Sequence, residues 1–343
     1  MLIDASLHKI VTLASLGMNN LFLLLNKIRQ SKLIKKNQLL ESKQSVLNQT
    51  ISLTPFLKTG CRLVIKREDL IHPYISGNKY RKLKYNLISA KKADHTTLLT
   101  FGGAYSNHIA AVASAGKEFG FNTIGVIRGE ELIGQVDCNP TLVFAKKCGM
   151  KFLFISRKDY QLKTRSFFID FLKSKFGKFY LIPEGGTNQL AVRGCSEILK
   201  KEDLNFDTIC VSVGTGGTFA GLIKSSKSSQ NLIGFSALKG TFQLSEISKY
   251  THQSNFMLLD DYCFGGYAKV NTQLISFINS FKETTAIPLD PIYTGKMMFG
   301  IIDLIKKGLI QEKSSILCIH TGGLQGIAGM NNVLKKKNLP LIK

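Results

Sequence analysis

The sequence predicts an α/β protein of two lobes, with sheets rich in parallel strands and flanked by helices. Three observations predict it. At 343 residues the chain exceeds the usual size of a single domain. Hydrophobic residues make up 44% of it against 20% charged, a balance that lets a chain bury a core. From Cys61 onward, short β-rich runs alternate with stretches of helical periodicity, the pattern of strand-helix-strand units closing parallel sheets.

Residues 1–50 read differently. Leu7, Ile10, Val11 and Ala14, then Leu21, Leu24, Leu25 and Ile28, recur at helical spacing. They predict an N-terminal helical extension, packed on the body of the protein or serving as an arm in an oligomer. Strands are then predicted at Arg62–Ile65, Thr97–Phe101, Thr123–Ile127, Phe152–Ile155, Thr208–Val213, Leu232–Ser236 and Ile316–Ile319. Helical patterns lie between them. In such sheets ligands gather at the carboxyl ends of the strands, so the loops that follow strands are the places to look for chemistry.

Three of those loops are informative. Ser76-Gly77-Asn78-Lys79-Tyr80-Arg81-Lys82-Leu83 opens a helix and places Lys79 at its N-terminus, where the helix dipole disfavours a cation but suits an uncharged, imine-forming amine or one facing a phosphate; taken alone, a surface cation is the commoner role of such a lysine. Gly102-Gly103-Ala104-Tyr105-Ser106-Asn107-His108 follows a strand and leads into a small-residue helix; Ser106 and Asn107 stand where they either cap that helix or bind an anion. His108 has no acidic partner nearby in sequence, which favours a structural histidine. Gly214-Thr215-Gly216-Gly217-Thr218 follows an apolar strand, so that backbone N–H groups, two hydroxyls and a helix dipole converge as for a phosphate. It lacks the Gly-Lys-Ser/Thr ending of a nucleotide-binding P-loop, and a phosphate monoester is the better expectation, with a bare tight turn as the alternative. The loop Pro183-Glu184-Gly185-Gly186-Thr187-Asn188 is a further strand-to-helix turn, and Gly194 in the helix beyond it implies close packing.

Composition excludes several classes. The formal charge is +23, from 46 basic and 23 acidic residues, yet the lysines are dispersed and no nucleic-acid module accompanies them. Seven cysteines without a CxxC pair suggest neither a disulfide framework nor a zinc site. No apolar run approaches the ~20 residues needed to span a bilayer, and the first residues lack the basic opening of a secretory signal, so a cytoplasmic protein is expected.

Taken together, Lys66-Arg-Glu-Asp-Leu70, Ser76-Gly-Asn-Lys-Tyr-Arg-Lys-Leu83, Gly102-Gly-Ala-Tyr-Ser-Asn-His108, Pro183-Glu-Gly-Gly-Thr-Asn188, Gly214-Thr-Gly-Gly-Thr218, Tyr293-Thr-Gly-Lys296 and His320-Thr-Gly-Gly323 resemble, in order, a family of pyridoxal-phosphate enzymes. These are the tryptophan-synthase-β-like (fold type II) enzymes, in the branch that holds 1-aminocyclopropane-1-carboxylate deaminase and D-cysteine desulfhydrase. The resemblance implies pyridoxal 5'-phosphate as cofactor. It implies a large domain of residues 51–80 and 190–343 that binds it, and a small domain of residues 81–189. It also implies that Lys79 is joined to the cofactor, that Asn107 touches the ring hydroxyl, that Gly214, Thr215, Gly216, Gly217 and Thr218 hold the phosphate, and that Thr321 faces the pyridine nitrogen.

The same resemblance places Ser106, Asn107, His108, Tyr293 and Thr294 against the substrate, with Lys79, Ser106 and Tyr293 as the catalytic set. The deaminases carry Tyr-Glu-Gly-Lys where this chain has Tyr293-Thr294-Gly295-Lys296, and Thr294 matches the desulfhydrase pattern. The expected activity is therefore α,β-elimination on a small D-amino acid, D-cysteine first, giving pyruvate, hydrogen sulfide and ammonia. Deamination of 1-aminocyclopropane-1-carboxylate is the near alternative, and a non-catalytic or nucleic-acid-binding protein the distant one. A homodimer is the expected assembly, with neither nucleic acid, membrane nor metal among the expected partners.

Overall fold

Residues 46–343 are described by the structure, a computed structural model. The predicted helical extension over residues 1–50 lies outside them except at its end. There Asn48–Ile51 form strand β1 instead of helix. The reason is non-local: β1 pairs antiparallel with β2 (Arg62–Lys66), and that ladder outweighs a weak helical periodicity.

Eight further strands follow: β3 (Thr97–Gly103), β4 (Asn122–Arg128), β5 (Met150–Ile155), β6 (Tyr180–Ile182), β7 (Thr208–Val213), β8 (Asn231–Ser236), β9 (Phe256–Leu259) and β10 (Ser315–Ile319). They form two sheets. One has the order β1-β2-β10-β7-β8-β9 and the other β5-β4-β3-β6. Every pairing except β1 with β2 is parallel, as the alternation of strands and helices predicts.

In the larger sheet, side chains alternate between two cores. Leu63, Ile65, Cys210, Ile316 and Cys318 point into one, beneath the helices Thr272–Thr285 and Thr294–Lys306. Val64, Ile209, Val211, Leu317 and Ile319 point into the other, beneath Gln189–Cys195 and Gly217–Ser225. With apolar groups on both faces, β7 is buried at all six positions, which is why its sequence reads as a continuous apolar run. Among the described residues no helix is long and apolar enough to cross a membrane.

Local signals set the helix starts. Ser106 caps the helix Asn107–Phe119, its Oγ accepting from the N–H groups of His108 and Ile109. Asn139 does the same for Pro140–Lys147. The helix Asn78–Lys92 has no side-chain cap. Its entry is fixed instead by Gly77, whose φ of +60° and close approach to Thr321 leave no room for a Cβ: one built there would sit 1.9 Å from the Thr321 carbonyl oxygen. That contact joins the lysine-bearing turn to the loop after β10.

Candidate active site

The carboxyl ends of β2, β3, β4, β6, β7 and β10 lead into loops that line one cavity of about 660 Å³, a size suited to a cofactor and a small substrate. Lys79 lines it, as do Ser106, Asn107, His108, Gly214, Thr215, Gly216, Thr218, Tyr293 and Thr321. Thr294 and Gly217 do not. The Thr294 side chain is fully buried and donates to Asp290 Oδ1 at 2.7 Å, so the substrate contact expected of it is absent. Tyr293 is the residue before the helix and faces the cavity; the next position turns by about 100° around the axis into the protein. Gly217 packs behind the wall, where an added Cβ would meet Thr187 Oγ1 at 2.7 Å.

Lys79 is the second residue of its helix, its Nζ donating to Asn78 Oδ1 at 3.1 Å while Asn78 Nδ2 donates to Thr218 Oγ1 at 2.8 Å. The amine is thus tied through one amide to the glycine-rich loop. Its pKa is lowered from 10.5 to about 7, first by desolvation and then by the neighbouring Lys82. A substantial fraction is therefore neutral and nucleophilic near pH 7.

Lys82 lies one turn further along the same face. Its Nζ donates to Gly185 O at 2.9 Å, Thr187 Oγ1 at 3.0 Å and Thr215 Oγ1 at 3.3 Å. It is 3% exposed, and among the described residues no carboxylate lies within ion-pair distance. Desolvation lowers its pKa to about 8. Beside it begins the helix Gly217–Ser225, whose first N–H groups no side chain caps, after Gly216 at φ +88°. A buried cation without a counter-charge, next to free helix N–H groups, calls for an anion.

Also in the lining, the buried Oδ1 of Asn107 lacks a hydrogen-bond partner, and so does Nε2 of Gln325. Asn107 packs so closely on Gly323 that a Cβ there would lie 2.8 Å from its Nδ2. His108 meets Thr100 Oγ1 at 2.8 Å through Nε2, and Thr100 in turn donates to Ile182 O. The imidazole N–H is thereby assigned to Nε2. Burial and the two lysines hold the His108 pKa well below its usual value, so the ring is neutral. Thr321 Oγ1 lies 3.2 Å from Ser212 Oγ, which gives the cavity a pair of hydroxyls.

Sequence reasoning passed over three contributors. Tyr267 lies edge-to-face with Tyr293 at 6.3 Å between ring centres. Burial raises both pKa values, so both phenols stay protonated. Asp290 accepts from the N–H groups of Ile292, Tyr293 and Thr294 at 2.8, 2.9 and 2.8 Å, fixing the turn that presents Tyr293. Lys82 had a readable signal, its spacing of three residues from Lys79. Asp290 stands three residues before the Tyr293-Thr-Gly-Lys296 motif, and Tyr267 arrives from a segment with no motif.

The charged run Lys66-Arg67-Glu68-Asp69 is a frame and not part of the wall. Arg81 donates to both oxygens of Glu68 at 2.9 and 2.8 Å, Arg67 to both of Asp69 at 2.9 and 2.8 Å, and Lys66 to Asp203 at 2.6 Å. The Arg81–Glu68 pair locks the strand end to the helix that carries Lys79, and Lys66–Asp203 ties the strand to the turn Lys201–Asn205.

Residues 48–322 match the family model described as pyridoxal-phosphate dependent enzyme. The chain belongs to this family. A Pyrococcus abyssi protein provisionally named 1-aminocyclopropane-1-carboxylate deaminase is 33% identical over 291 residues, covering 78% of this chain and 86% of its own length. The bifunctional D-cysteine desulfhydrase/1-aminocyclopropane-1-carboxylate deaminase of Arabidopsis thaliana mitochondria is 31% identical over 304 residues, covering 80% of this chain and 75% of its own. A crystal structure described as an ACC deaminase homologue superposes with a TM-score of 0.73 at 28% identity, over 86% of this chain and 94% of the other. The protein is a fold type II pyridoxal-phosphate enzyme of the deaminase and desulfhydrase group. Its cavity fits the cofactor: an amine near neutrality for the aldehyde, a buried cation and open helix N–H groups for the phosphate, and an unsatisfied amide for a ring substituent.

Proposed function

We propose that this enzyme eliminates the β-substituent of a small D-amino acid, D-cysteine first, releasing sulfide, ammonia and pyruvate. The observation that carries the reading is the uncharged wall at Thr321 and Ser212, where a hydroxyl pair stands in place of a carboxylate. Among the described cavity residues the one carboxylate is Glu184, held by Tyr160 and Lys163. Bound pyridoxal phosphate supplies an electron sink for the α-carbon, and a neutral partner at its ring nitrogen weakens that sink enough to favour elimination over transamination.

In this reading Lys79 Nζ holds the cofactor, and Lys82, Thr215, Thr218 and the N-terminus of the helix Gly217–Ser225 hold its phosphate. The Asn107 amide contacts the ring substituent, and Ser106 Oγ lies beside the substrate carboxylate. As a free amine, Lys79 Nζ would take the substrate's α-proton, a task suited to an amine whose pKa is about 7. Tyr293, protonated and edge-to-face with Tyr267, would give a proton to the departing thiolate. The second reading, ring opening of 1-aminocyclopropane-1-carboxylate, is favoured by the names of the relatives.

The test is sulfide release from D-cysteine by the cofactor-loaded protein, with L-cysteine and Lys79→Ala alongside. Release from the D-isomer that requires Lys79 supports the proposal. Absence of sulfide, with 2-oxobutanoate formed from the cyclopropane amino acid, replaces it with the second reading.

A further inference from the structure

Lys296 is among the largest fully buried side chains, 1% exposed, and its Nζ donates to the carbonyl oxygens of Cys263 at 2.7 Å and Gly266 at 2.8 Å. Among the described residues no carboxylate pairs with it. A buried ammonium in such a place is costly, and a methionine or leucine would fill the space without that cost. What the ammonium holds is an unusual turn. Phe264, Gly265, Gly266 and Ala268 have φ of 53°, 88°, 121° and 57°. Non-glycine residues at such angles cost about 1 kcal/mol or more each, so a segment of this shape persists only when its surroundings impose it.

Both carbonyls close tight turns: Cys263 O accepts from the N–H of Gly266 at 3.0 Å, and Gly266 O from that of Lys269 at 3.2 Å. Tyr267 is the second residue of the latter turn. Lys296 itself sits in the helix Thr294–Lys306, which starts immediately after Tyr293. One rigid element therefore carries the first phenol and the group that fixes the second, and Phe264 packs on Phe299 of the same helix at 5.1 Å between ring centres.

We infer that Lys296 is a positioning residue: by gathering the Cys263 and Gly266 carbonyls, its ammonium holds the Tyr267 ring edge-to-face against Tyr293 at the cavity wall. The inference rests on the reading that the two phenols serve the substrate. It assigns a task to a lysine that touches neither substrate nor cofactor.

The experiment compares Tyr267→Phe, Lys296→Met and the double variant, all cofactor-loaded, on D-cysteine. Loss of one proton-handling group lowers kcat on the order of 10²-fold. Lys296→Met is expected to match Tyr267→Phe with little change in KM, and the double variant to be no worse than either alone, because both remove the same placed hydroxyl. Losses that multiply overturn the inference. Lys296→Gln, one atom shorter but still carrying two N–H donors, is expected to regain part of kcat; if it behaves like Lys296→Met, the carbonyl contacts are not what matters.

A second readout is independent of turnover. The chain has no tryptophan, so Phe264→Trp introduces a single indole into the turn of the cofactor-free protein. Adding Lys296→Met is expected to raise its quenching by acrylamide several-fold, and unchanged quenching overturns the inference. Should Tyr267→Phe leave turnover intact, the proposed role of the phenols fails while the quenching still reports whether Lys296 holds the turn.

Discussion

Lys79 and Lys82 share a helix face, and both are charged groups placed where charge is unwelcome. For Lys82 the folded pKa of about 8 lies below the ordinary 10.5. The unfolded chain then binds this proton more tightly, so the cofactor-free protein loses stability as pH falls from about 10.5 through about 8. A bound oxyanion reverses the sign by favouring the ammonium. Inorganic phosphate is therefore expected to raise the melting temperature of the cofactor-free protein more at about pH 7 than at about pH 9.5. Lys82→Met is expected to remove most of that rise and to weaken cofactor binding about 10- to 100-fold, the worth of one charge-assisted hydrogen bond, as a fluorescence titration would show. A phosphate effect that persists in Lys82→Met would move the anion site elsewhere. At this scale the sequence was readable where a loop motif carried the residue, as for Lys79, Asn107 and Thr215. Tyr267 was not readable, because its placement depends on a turn held by Lys296; Asp290 was passed over although it accepts from N–H groups two, three and four residues on, a local capping pattern.

Among the elements, the seven predicted strands all form, each within two residues at either end. The three that escaped prediction, β1, β6 and β9, are sheet edges of three or four residues. β1 (Asn-Gln-Thr-Ile) is largely polar, while β6 (Tyr-Leu-Ile) and β9 (Phe-Met-Leu-Leu) are apolar but too short for periodicity to mark them as strands. Gly194 shows the opposite case, a single residue that announces a contact. The helix Gln189–Cys195 crosses Asn78–Lys92 there, and an added Cβ would stand 1.9 Å from the Arg81 carbonyl oxygen. Backbone cannot swing away as a side chain could. Gly194→Ala is expected to destabilise the protein by about 1–3 kcal/mol in urea unfolding, and to lower cofactor affinity as well, because the helix it pushes carries Lys79 and Lys82. A neutral result would mean that the two helices separate freely and that this crossing does not set the lysines' position.

For the whole molecule, the remaining question is what a formal charge of +23 does in an enzyme with a small ligand. Sequence alone left it as dispersed surface, and the cavity gives it a direction: Lys79, Lys82, Arg128 and Arg157 line the wall against Glu184 alone. A like-signed cleft within a like-signed molecule attracts anions from beyond contact range, and salt shortens that range from about 30 Å at 0.01 M to about 10 Å at 0.1 M. Pyridoxal phosphate arrives as an anion, whereas D-cysteine arrives as a near-neutral zwitterion. The rate of cofactor uptake by the cofactor-free protein is thus expected to fall roughly ten-fold over that salt interval, followed by stopped-flow absorbance, while KM for D-cysteine changes by less than about two-fold. Equal sensitivity of both would mean that the charge acts on the fold and not on encounter. Insensitivity of both would mean that the surface lysines are screened too locally to reach the cavity mouth, leaving Lys82 at contact distance as the source of phosphate selection.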